Sequence, residues 1–279
     1  LIEGETGVGK ELLAKACHLA SPRKDKPFLA INCAALPDNV AESELFGHGE
    51  GSLSAQSTRK TGVLEQSAGG TVLLDSVSEM SIGLQAKLLR FLEDGVFRRI
   101  GEEQEVSVDV RVICTAQGNL YELVESGEFR EDLYYRLNVL ALNVPPLRER
   151  KSDILLLAEH FVTQACKKLG RSQVSLSRAA KERLKRYQWP GNVRQLENTM
   201  FRSVSMIEGY TLEPADIRLP ELNQEDDQLL RRLSPSFPST RQLAKRLGLS
   251  HTAVANKLRD YGIGKQRSGR ARKAERTKN

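Results

Sequence analysis

The sequence predicts an α/β fold built on a parallel sheet and followed by all-α segments. Apolar strand-like runs alternate with helical stretches, a glycine-rich loop leads directly into a helix, and the second half of the chain has helical patterns only. Strands that alternate with helices favour a parallel sheet, because each helix returns the chain to the same sheet edge. The strand-like runs lie at residues 27–31, 71–75, 110–114 and 139–144.

Two helices of the α/β part are clear from their apolar periodicity. The first follows the glycine-rich loop over residues 11–20, and its predicted packed face consists of Leu12, Leu13, Ala16, Cys17 and Leu19. The second covers residues 82–94. Its predicted buried face consists of Leu84, Leu88, Leu89 and Leu92.

The second half divides at proline and glycine. Pro145-Pro146 closes the last strand, and the pattern is then helical from Lys151 to about Arg218, with a break at Trp189-Pro190-Gly191. Residues rich in acids, Ser and Pro then predict a linker. The predicted domains are 1–146 (α/β), 147–220 (helical), 221–238 (linker), 239–262 (small all-α) and 263–279 (basic tail).

Composition restricts the class of protein. Hydrophobic content of 39% and charged content of 28% are ordinary for a globular protein. We find no membrane-length apolar run and no signal segment, and the four cysteines form no CxxC pair, so we expect a cytoplasmic protein with free, buried thiols. Residue 1 lies three residues before the first loop glycine. We therefore expect the strand before the loop to be almost wholly absent, and a sensory domain to lie outside this sequence.

The run Gly4-Glu5-Thr6-Gly7-Val8-Gly9-Lys10 predicts a phosphate-binding loop. Its backbone N–H groups and Lys10 would hold the β- and γ-phosphates of ATP at a helix N-terminus. Glu11 stands where the generic pattern has a Mg²⁺-binding Ser or Thr, which leaves Asp75 as the metal-side acid, acting through water. The alternative is a glycine-rich turn that only joins a strand to a helix.

Residues 239–262 predict a helix-turn-helix. Thr240 and Ser250 are placed to cap the two helices, and Gly248 makes the turn. The predicted core is Leu243, Leu247, Leu249, Val254 and Leu258. The residues predicted to contact DNA are Ser250, His251, Thr252, Asn256, Lys257 and Arg259. The alternative is an ordinary helical hairpin.

The net charge of +6 equals the charge of the last sixteen residues. Residues 264–279 contain seven Lys and Arg against one acid, Glu275, so the rest of the chain is neutral in sum. Such a tail either attracts polyanions such as DNA or is simply solvated.

Six motifs in order resemble the AAA+ central domain of the sigma-54 activator family. They are G-E-T-G-V-G-K-E, N-C-A-A-L, E-S-E-L-F-G-H, G-G-T-V-L-L-D, F-R-E-D-L-Y-Y-R-L-N and W-P-G-N-V-R-Q-L-E-N. The resemblance covers roughly residues 1–220 and implies an AAA+ fold with a helical lid. It implies that Arg194 senses the γ-phosphate and that Asn32 couples nucleotide state to a catalytic acid.

The resemblance also implies that Arg130 and Arg136 are arginine fingers that reach a neighbouring subunit's nucleotide. Taken without the family, both arginines are explained as exposed helix residues paired with nearby acids, since such surface pairs are common. The acids available are Glu128, Glu131 and Asp132.

Three working parts of the family's motor are altered in this chain. Residues 51–56 read G-S-L-S-A-Q where the family's sigma-54-contacting loop reads G-A-F-T-G-A. Ser76 replaces the catalytic Glu, and Ala116-Gln117 replace Thr-Asn in the nucleotide-sensing strand. We therefore expect a chain that binds ATP but hydrolyses it weakly at most, with no intact catalytic residue.

The helix-turn-helix stretch is similar to the C-terminal module of TyrR-type regulators, which control aromatic amino acid genes and have a degenerate sigma-54 loop. The helix expected before it is shortened to about Asp226–Leu233, which puts dimerisation through this module in question. The resemblance implies a palindromic DNA operator, a homo-oligomer promoted by ATP, and RNA polymerase and an aromatic amino acid effector as further partners. The alternative hypothesis is that the chain is an active ATPase that remodels sigma-54 polymerase. A third, less favoured hypothesis is a degraded regulator that binds only DNA.

Overall fold

In the computed structural model, the chain divides into two units, Leu1–Ile217 and Arg218–Asn279. The structure describes residues 1–52 and 58–219 continuously, together with Arg232, Leu233, Leu243, Val254 and Leu258.

Eleven strands lie in the described part of the first unit. They are β1 (Ile2–Gly4), β2 (Phe28–Asn32), β3 (Gly47–His48), β4 (Lys60–Thr61), β5 (Thr71–Asp75), β6 (Val96–Arg98), β7 (Glu105–Ser107), β8 (Arg111–Gln117), β9 (Leu142–Asn143), β10 (Ser175–Leu176) and β11 (Thr211–Leu212).

Nine α-helices are described in the same unit. They are α1 (Lys10–Leu19), α2 (Asp38–Phe46), α3 (Val63–Gln66), α4 (Ile82–Asp94), α5 (Leu120–Glu125), α6 (Glu131–Leu137), α7 (Lys151–Lys168), α8 (Arg178–Arg186) and α9 (Asn192–Met206). Short 3₁₀ turns cover Val77–Glu79, Leu147–Glu149 and Pro214–Asp216.

The main sheet is parallel throughout and has the order β2-β5-β8-β1-β9. The predicted α/β class is therefore confirmed. The expectation that the first strand is almost absent was wrong, because residues 2–4 suffice for β1 to pair with β8 on one side and β9 on the other. The predicted strand at 139–144 is shorter than expected, since only Leu142 and Asn143 pair with β1.

The core is made by the central strands and the helices that cover them. Val72 and Leu74 of β5 are fully buried, as are Leu64, Leu88 and Leu133 from three helices. The predicted face of α4 is confirmed, with Leu84, Leu88 and Leu89 buried and Leu92 partly buried against the same cluster. Burial of such side chains contributes about 1.5–3 kcal/mol each.

The predicted face of α1 is confirmed at Leu13 and Cys17, which pack against the core, and was wrong at Leu12, Ala16 and Leu19, which are exposed. Its buried residues are Ala14 and His18, whereas Leu12 is 76% exposed and Leu13 and Cys17 are half-buried. His18 Nδ1 lies 2.9 Å from the hydroxyl of Thr71, which satisfies this buried polar ring. A polar residue with a buried partner thus occupies a position that the apolar pattern excluded.

The helical lid consists of α7, α8 and α9 with the small β10–β11 pair. The predicted break is confirmed, since α8 ends at Arg186 and α9 begins at Asn192. Trp189 between them is fully buried, and its indole N–H donates to the carbonyl of Leu184 at 2.9 Å. The indole therefore ties the connection between the two helices to the last turn of α8.

The second unit is described at seven positions, which are Arg218, Leu219, Arg232, Leu233, Leu243, Val254 and Leu258. Leu243, Val254 and Leu258 are all helical; the first two are buried and the third is half-buried, as predicted for the core of the helix-turn-helix. Among the described residues, no helix combines the length and apolar character needed to cross a membrane.

Candidate nucleotide-binding site

The phosphate loop joins β1 to α1 with glycines in conformations that other residues avoid. Gly4, Gly7 and Gly9 have φ of 149°, 79° and 103°. A Cβ on Gly7 would lie 2.5 Å from the carbonyl oxygen of Gly191, and one on Gly4 would lie 2.7 Å from that of Val144. The loop therefore needs glycine both for its backbone conformation and for its close approach to neighbours.

Lys10 begins α1 and turns back over the loop. Its ammonium group donates to the carbonyl oxygens of Gly4 at 2.7 Å and Glu5 at 3.1 Å. A cation held inside a cradle of backbone groups at a helix N-terminus is suited to the phosphates of a nucleotide.

The carboxyl ends of four parallel strands meet at this loop. Gly4, Asn32, Asp75 and Gln117 are the last residues of β1, β2, β5 and β8. Ligands of open parallel sheets bind at this edge. A cavity of about 530 Å³ opens there, lined by Thr6, Gly7, Gly9, Lys10, Glu11, Leu12, Lys15, Phe28, Asn32, Asp75, Ser76, Gln117, Val193, Arg194 and Glu197.

Both carboxylate oxygens of Asp75 are engaged. The Thr115 hydroxyl donates to Oδ1 at 2.5 Å, and the Asn32 amide donates to Oδ2 at 3.3 Å. The Ser76 N–H donates to the Thr115 hydroxyl at 3.0 Å, and Ser76 itself has φ of 62°. The side chain that replaces the expected catalytic acid thus sits in a strained turn, and Asn32 bonds to Asp75 instead.

Two buried thiols flank Asp75. The Cys33 N–H donates to the Asp75 backbone carbonyl at 2.9 Å, and Cys114 lies on the neighbouring β8. Burial raises the pKa of each thiol to about 12, and for Cys33 the nearby Cys114 and Asp75 add to this increase. Both are neutral thiols near pH 7, whereas Cys17 is only half-buried.

The lid rests directly on the phosphate loop. Arg148 donates two hydrogen bonds to the Glu5 carboxylate, at 2.7 and 2.9 Å. The buried Asn192 amide donates to Glu5 and to the Thr6 carbonyl, each at 3.0 Å, and its oxygen accepts from Leu147 N–H at 2.8 Å. Arg150 donates to the Val8 carbonyl at 2.9 Å. Among the described residues, the loop and lid are therefore joined by five side-chain hydrogen bonds.

The structure brings most of the predicted nucleotide residues together. Lys10, Glu11, Asp75 and Arg194 line one cavity, and the Arg194 backbone N–H donates to Gly7 O at 3.3 Å. Val8 is buried below the loop, and Glu5 faces the lid. Sequence reasoning missed the links made by Arg148, Arg150 and Asn192. The run R-E-R at 148–150 and the Asn of W-P-G-N-V-R were the available signals.

Arg130 and Arg136 do not line this cavity. Arg130 forms a two-bond ion pair with Asp132, which raises the pKa of Arg130 and lowers that of Asp132. Arg136 donates to the carbonyl of Leu92, at 2.7 and 3.2 Å. In a single chain, Arg130 is therefore paired with a nearby acid, as the alternative interpretation predicted, whereas Arg136 is bonded to backbone.

Several predicted residues lie outside the described part of the chain. These are Leu53, Ser54, Ala55 and Gln56 of the altered loop, most of the predicted linker 221–238 with its short helix, and the basic tail 264–279. In the predicted helix-turn-helix they are Thr240, Leu247, Gly248, Leu249 and all six DNA-contacting residues from Ser250 to Arg259.

Three family models match the chain in succession. A sigma-54 interaction domain model matches residues 1–143, an AAA+ ATPase lid domain model matches 148–232, and a helix-turn-helix domain model matches 221–264.

Similar proteins of known description include two TyrR regulators. The HTH-type transcriptional regulatory protein TyrR of Enterobacter agglomerans is 55% identical over 286 residues, which cover 96% of this chain and 55% of that protein. The protein of the same description from Haemophilus influenzae is 47% identical, with 95% of this chain and 88% of that protein covered. The chain thus spans about half the length of the Enterobacter relative.

A solved structure with the same fold is NtrX from Brucella abortus in complex with ATP. Its TM-score is 0.70 at 33% identity, with 94% of this chain and 63% of that chain covered. The complex of NtrX with ADP gives a TM-score of 0.72 at 31% identity, with 94% of this chain and 64% of that chain covered.

Proposed function

Because the chain belongs to the TyrR-type regulators of the sigma-54 activator family, we propose that it is a DNA-binding transcriptional regulator of aromatic amino acid metabolism or transport genes. The observation that carries this proposal is the match to the Haemophilus TyrR regulator, which extends over 88% of that protein and through the helix-turn-helix region. The operator is a palindrome read by at least a dimer, because one helix-turn-helix reads only a half-site.

The helix after the predicted turn supplies sequence recognition. Ser250, His251, Thr252 and Asn256 are proposed to meet base edges, with Lys257 and Arg259 on phosphates. Replacing Asn256 by Ala is expected to cost about 1–3 kcal/mol at an operator and little on random DNA. Gel-shift titrations upstream of aromatic amino acid genes measure both. A chain that binds these sites no better than random duplex contradicts the proposal.

ATP is the proposed ligand of the phosphate loop. Positive-φ glycines, the inward Lys10 ammonium and the absence of any side chain at Gly7 suit a triphosphate against the backbone. Asp75 would hold Mg²⁺ through water, and the bound metal would neutralise phosphate charge. Arg194 of the lid, which lines the same cavity, would face the γ-phosphate. Equilibrium binding of a labelled ATP analogue tests this, with Lys10→Ala expected to abolish binding.

We propose that ATP acts mainly as an effector of oligomerisation and is hydrolysed slowly. Ser76 offers no carboxylate to position water, and such groups contribute about 10²–10⁴-fold to rate. Arg130 and Arg136 would complete a neighbouring subunit's site in the oligomer. Turnover of about one per second, the low end of typical kinase rates, would contradict this part. Ser76→Glu alone is not expected to restore turnover, because Ala116 and Gln117 are altered as well.

The match to a sigma-54 interaction domain favours a second candidate, an activator that remodels sigma-54 polymerase. The altered residues Gly51–Gln56 argue against it, because Leu53 cannot replace the aromatic tip of the family's loop. The first proposal also includes contact with ordinary RNA polymerase, as opposed to sigma-54 polymerase. It further includes an aromatic amino acid as effector. In vitro transcription from a sigma-54 promoter decides between the two: ATP-dependent open complexes would favour the second candidate.

A further inference from the structure

The α/β part and the lid of the first unit carry net charges of opposite sign. Residues 1–146 contain 22 Asp and Glu against 14 Lys and Arg, a net charge of −8. Residues 147–217, which form the lid, contain 13 Lys and Arg against 8 Asp and Glu, a net charge of +5. The positive charge that accompanies the DNA-binding region therefore begins in the lid.

Helix α8 is the most basic element of the lid. Its nine residues include five Lys or Arg and one acid, Glu182. Ala180 and Leu184 bury its inner face, so Arg178, Arg183 and Arg186 lie on the exposed outer face. Positions 178 and 186 are eight residues apart, which is about 12 Å along the helix. That length equals about three or four phosphate spacings of one DNA strand, at about 3.4 Å each along the axis.

Intramolecular pairing does not account for this face. Lys181 pairs with Glu159 and Lys185 with Glu182, and Arg183 donates to the Pro214 carbonyl. For Arg178 and Arg186, no carboxylate of the described residues lies within salt-bridge distance.

Helix stability does not account for Arg178 either. A cation near the C-terminal end, such as Arg186, is favoured by the helix dipole, but one in the first turn is disfavoured. The first turn of α8 has no acidic residue to offset Arg178, and the helix is capped by Ser177, which accepts from Ala180 N–H at 3.1 Å. Arg178 therefore occupies a position that local electrostatics disfavours.

We propose that the outer face of α8, with Arg178 and Arg186 at its two ends, is a second DNA-contacting surface that binds phosphates outside the helix-turn-helix. The ligand class is the duplex DNA backbone, which the charge of the lid complements. This inference rests on the proposed DNA binding and adds a sequence-independent contact to it.

The test compares the full chain with a double variant, Arg178→Gln with Arg186→Gln. Arg183 stays unchanged because it holds Pro214. The matched control is Lys24→Gln with Lys26→Gln, which removes the same charge from two exposed residues after α1. Binding to a long random-sequence duplex is titrated across a range of salt concentrations. Loss of two phosphate contacts is expected to lower the slope of log affinity against log salt by about 1.8, with little change for the control.

Each other outcome has a defined reading. Equal slopes for the two double variants overturn the inference, since only overall charge would then matter. A double variant whose salt slope matches that of the parent chain also overturns it. A change in self-association without a change in the DNA slope overturns it in favour of contact with another copy's acidic half. A parent chain that binds no DNA contradicts the proposed function itself. Unchanged unfolding midpoints exclude misfolding of the variants.

Discussion

Asn192 joins two parts of the nucleotide site with one side chain. Its amide bonds to Glu5, to the Thr6 carbonyl and to Leu147 N–H, and it is fully buried with φ of 51°. Asn is among the few residues that tolerate such a φ. A single residue thus satisfies both the turn that starts α9 and the loop that would hold phosphate.

Replacing Asn192 by Ala is expected to lower the free energy of unfolding by about 2–4 kcal/mol, because buried groups lose their partners and a positive φ loses its suited residue. Urea unfolding measures the change, and the affinity of the ATP analogue is expected to fall with it. Asn198→Ala, an exposed position on the same helix, is the control and should change little. Equal effects at both positions would refute the proposed link.

The buried thiols of Cys33 and Cys114 are expected to lower the free energy of unfolding at alkaline pH. Burial raises the pKa of each thiol from 9.0 to about 12, so the folded chain keeps two protons that the unfolded chain releases above about pH 9. The stability contributed by these thiols is complete below pH 9 and decreases as the pH rises toward 12. Between these values the expected slope is roughly 2–3 kcal/mol per pH unit for the pair.

Urea unfolding at pH 8 and pH 10 measures this slope against a Cys33→Ala, Cys114→Ala variant. The variant retains every lysine and tyrosine that titrates in the same range, so subtraction isolates the thiols. If the two chains lose stability equally, the thiols do not cause the effect.

At the scale of elements, α9 and the phosphate loop form one unit. Arg194 N–H bonds to Gly7 O, and a Cβ at Gly7 would lie 2.5 Å from the carbonyl of Gly191. At Gly7 the lid therefore packs on the loop at backbone distance. Movement of the loop on binding phosphate would reach α9 directly.

Gly7→Ala is expected to separate the loop from the lid and to abolish binding of the ATP analogue. Gly127→Ala is the matched control: its φ of 74° is close to the 79° of Gly7, but nothing lies within 4 Å of its Cβ position. Both variants carry about 1–2 kcal/mol of left-handed strain, so the excess loss at Gly7 measures the close contact. Calorimetry and thermal unfolding record the two effects. Equal losses would show that strain alone matters.

At the scale of the whole molecule, nucleotide and DNA binding are proposed to be linked through assembly. The sequence predicts only a short helix before the helix-turn-helix, at about 226–233, so pairing of half-sites would depend on the AAA+ part. The whole chain with the ATP analogue is then expected to bind an operator more tightly than the isolated 234–279 segment. Gel-shift titration of both, with the Lys10→Ala chain as control, tests this. Equal affinities would refute a role for the ATP-binding part.

In the same proposal, the basic tail strengthens binding to operator DNA and to random DNA equally. Removing residues 264–279 deletes seven Lys and Arg and one Glu. Affinity for operator and random duplex should fall together, and the salt slope should decrease by up to about six, because each phosphate contact contributes about 0.9. Loss of operator preference upon deletion would instead indicate base contacts by the tail.

The sequence by itself determined the α/β class, the phosphate loop and the acid at the end of β5. These follow from local spacing: strand and helix periodicity, the positions of glycine, and a short apolar run before Asp75. The same spacing predicted the buried face of α4 and the break before α9. The resemblance to the sigma-54 activator family indicated which motor parts are altered, since Ser76 and Ala116-Gln117 stand at matching positions of the sequence.

Only the tertiary structure decided how these parts meet. Glu5 and Asn192 are 187 residues apart, and Arg148 reaches Glu5 from 143 residues away, so no local pattern could pair them. The outward position of Leu12 and the inward position of His18 depended on Thr71, a strand residue far along the chain. The engagement of both Asp75 oxygens likewise required β2, β5 and β8 to lie side by side. Periodicity fixes which elements form, but hydrogen bonds between distant segments are set only when the sheet and lid close.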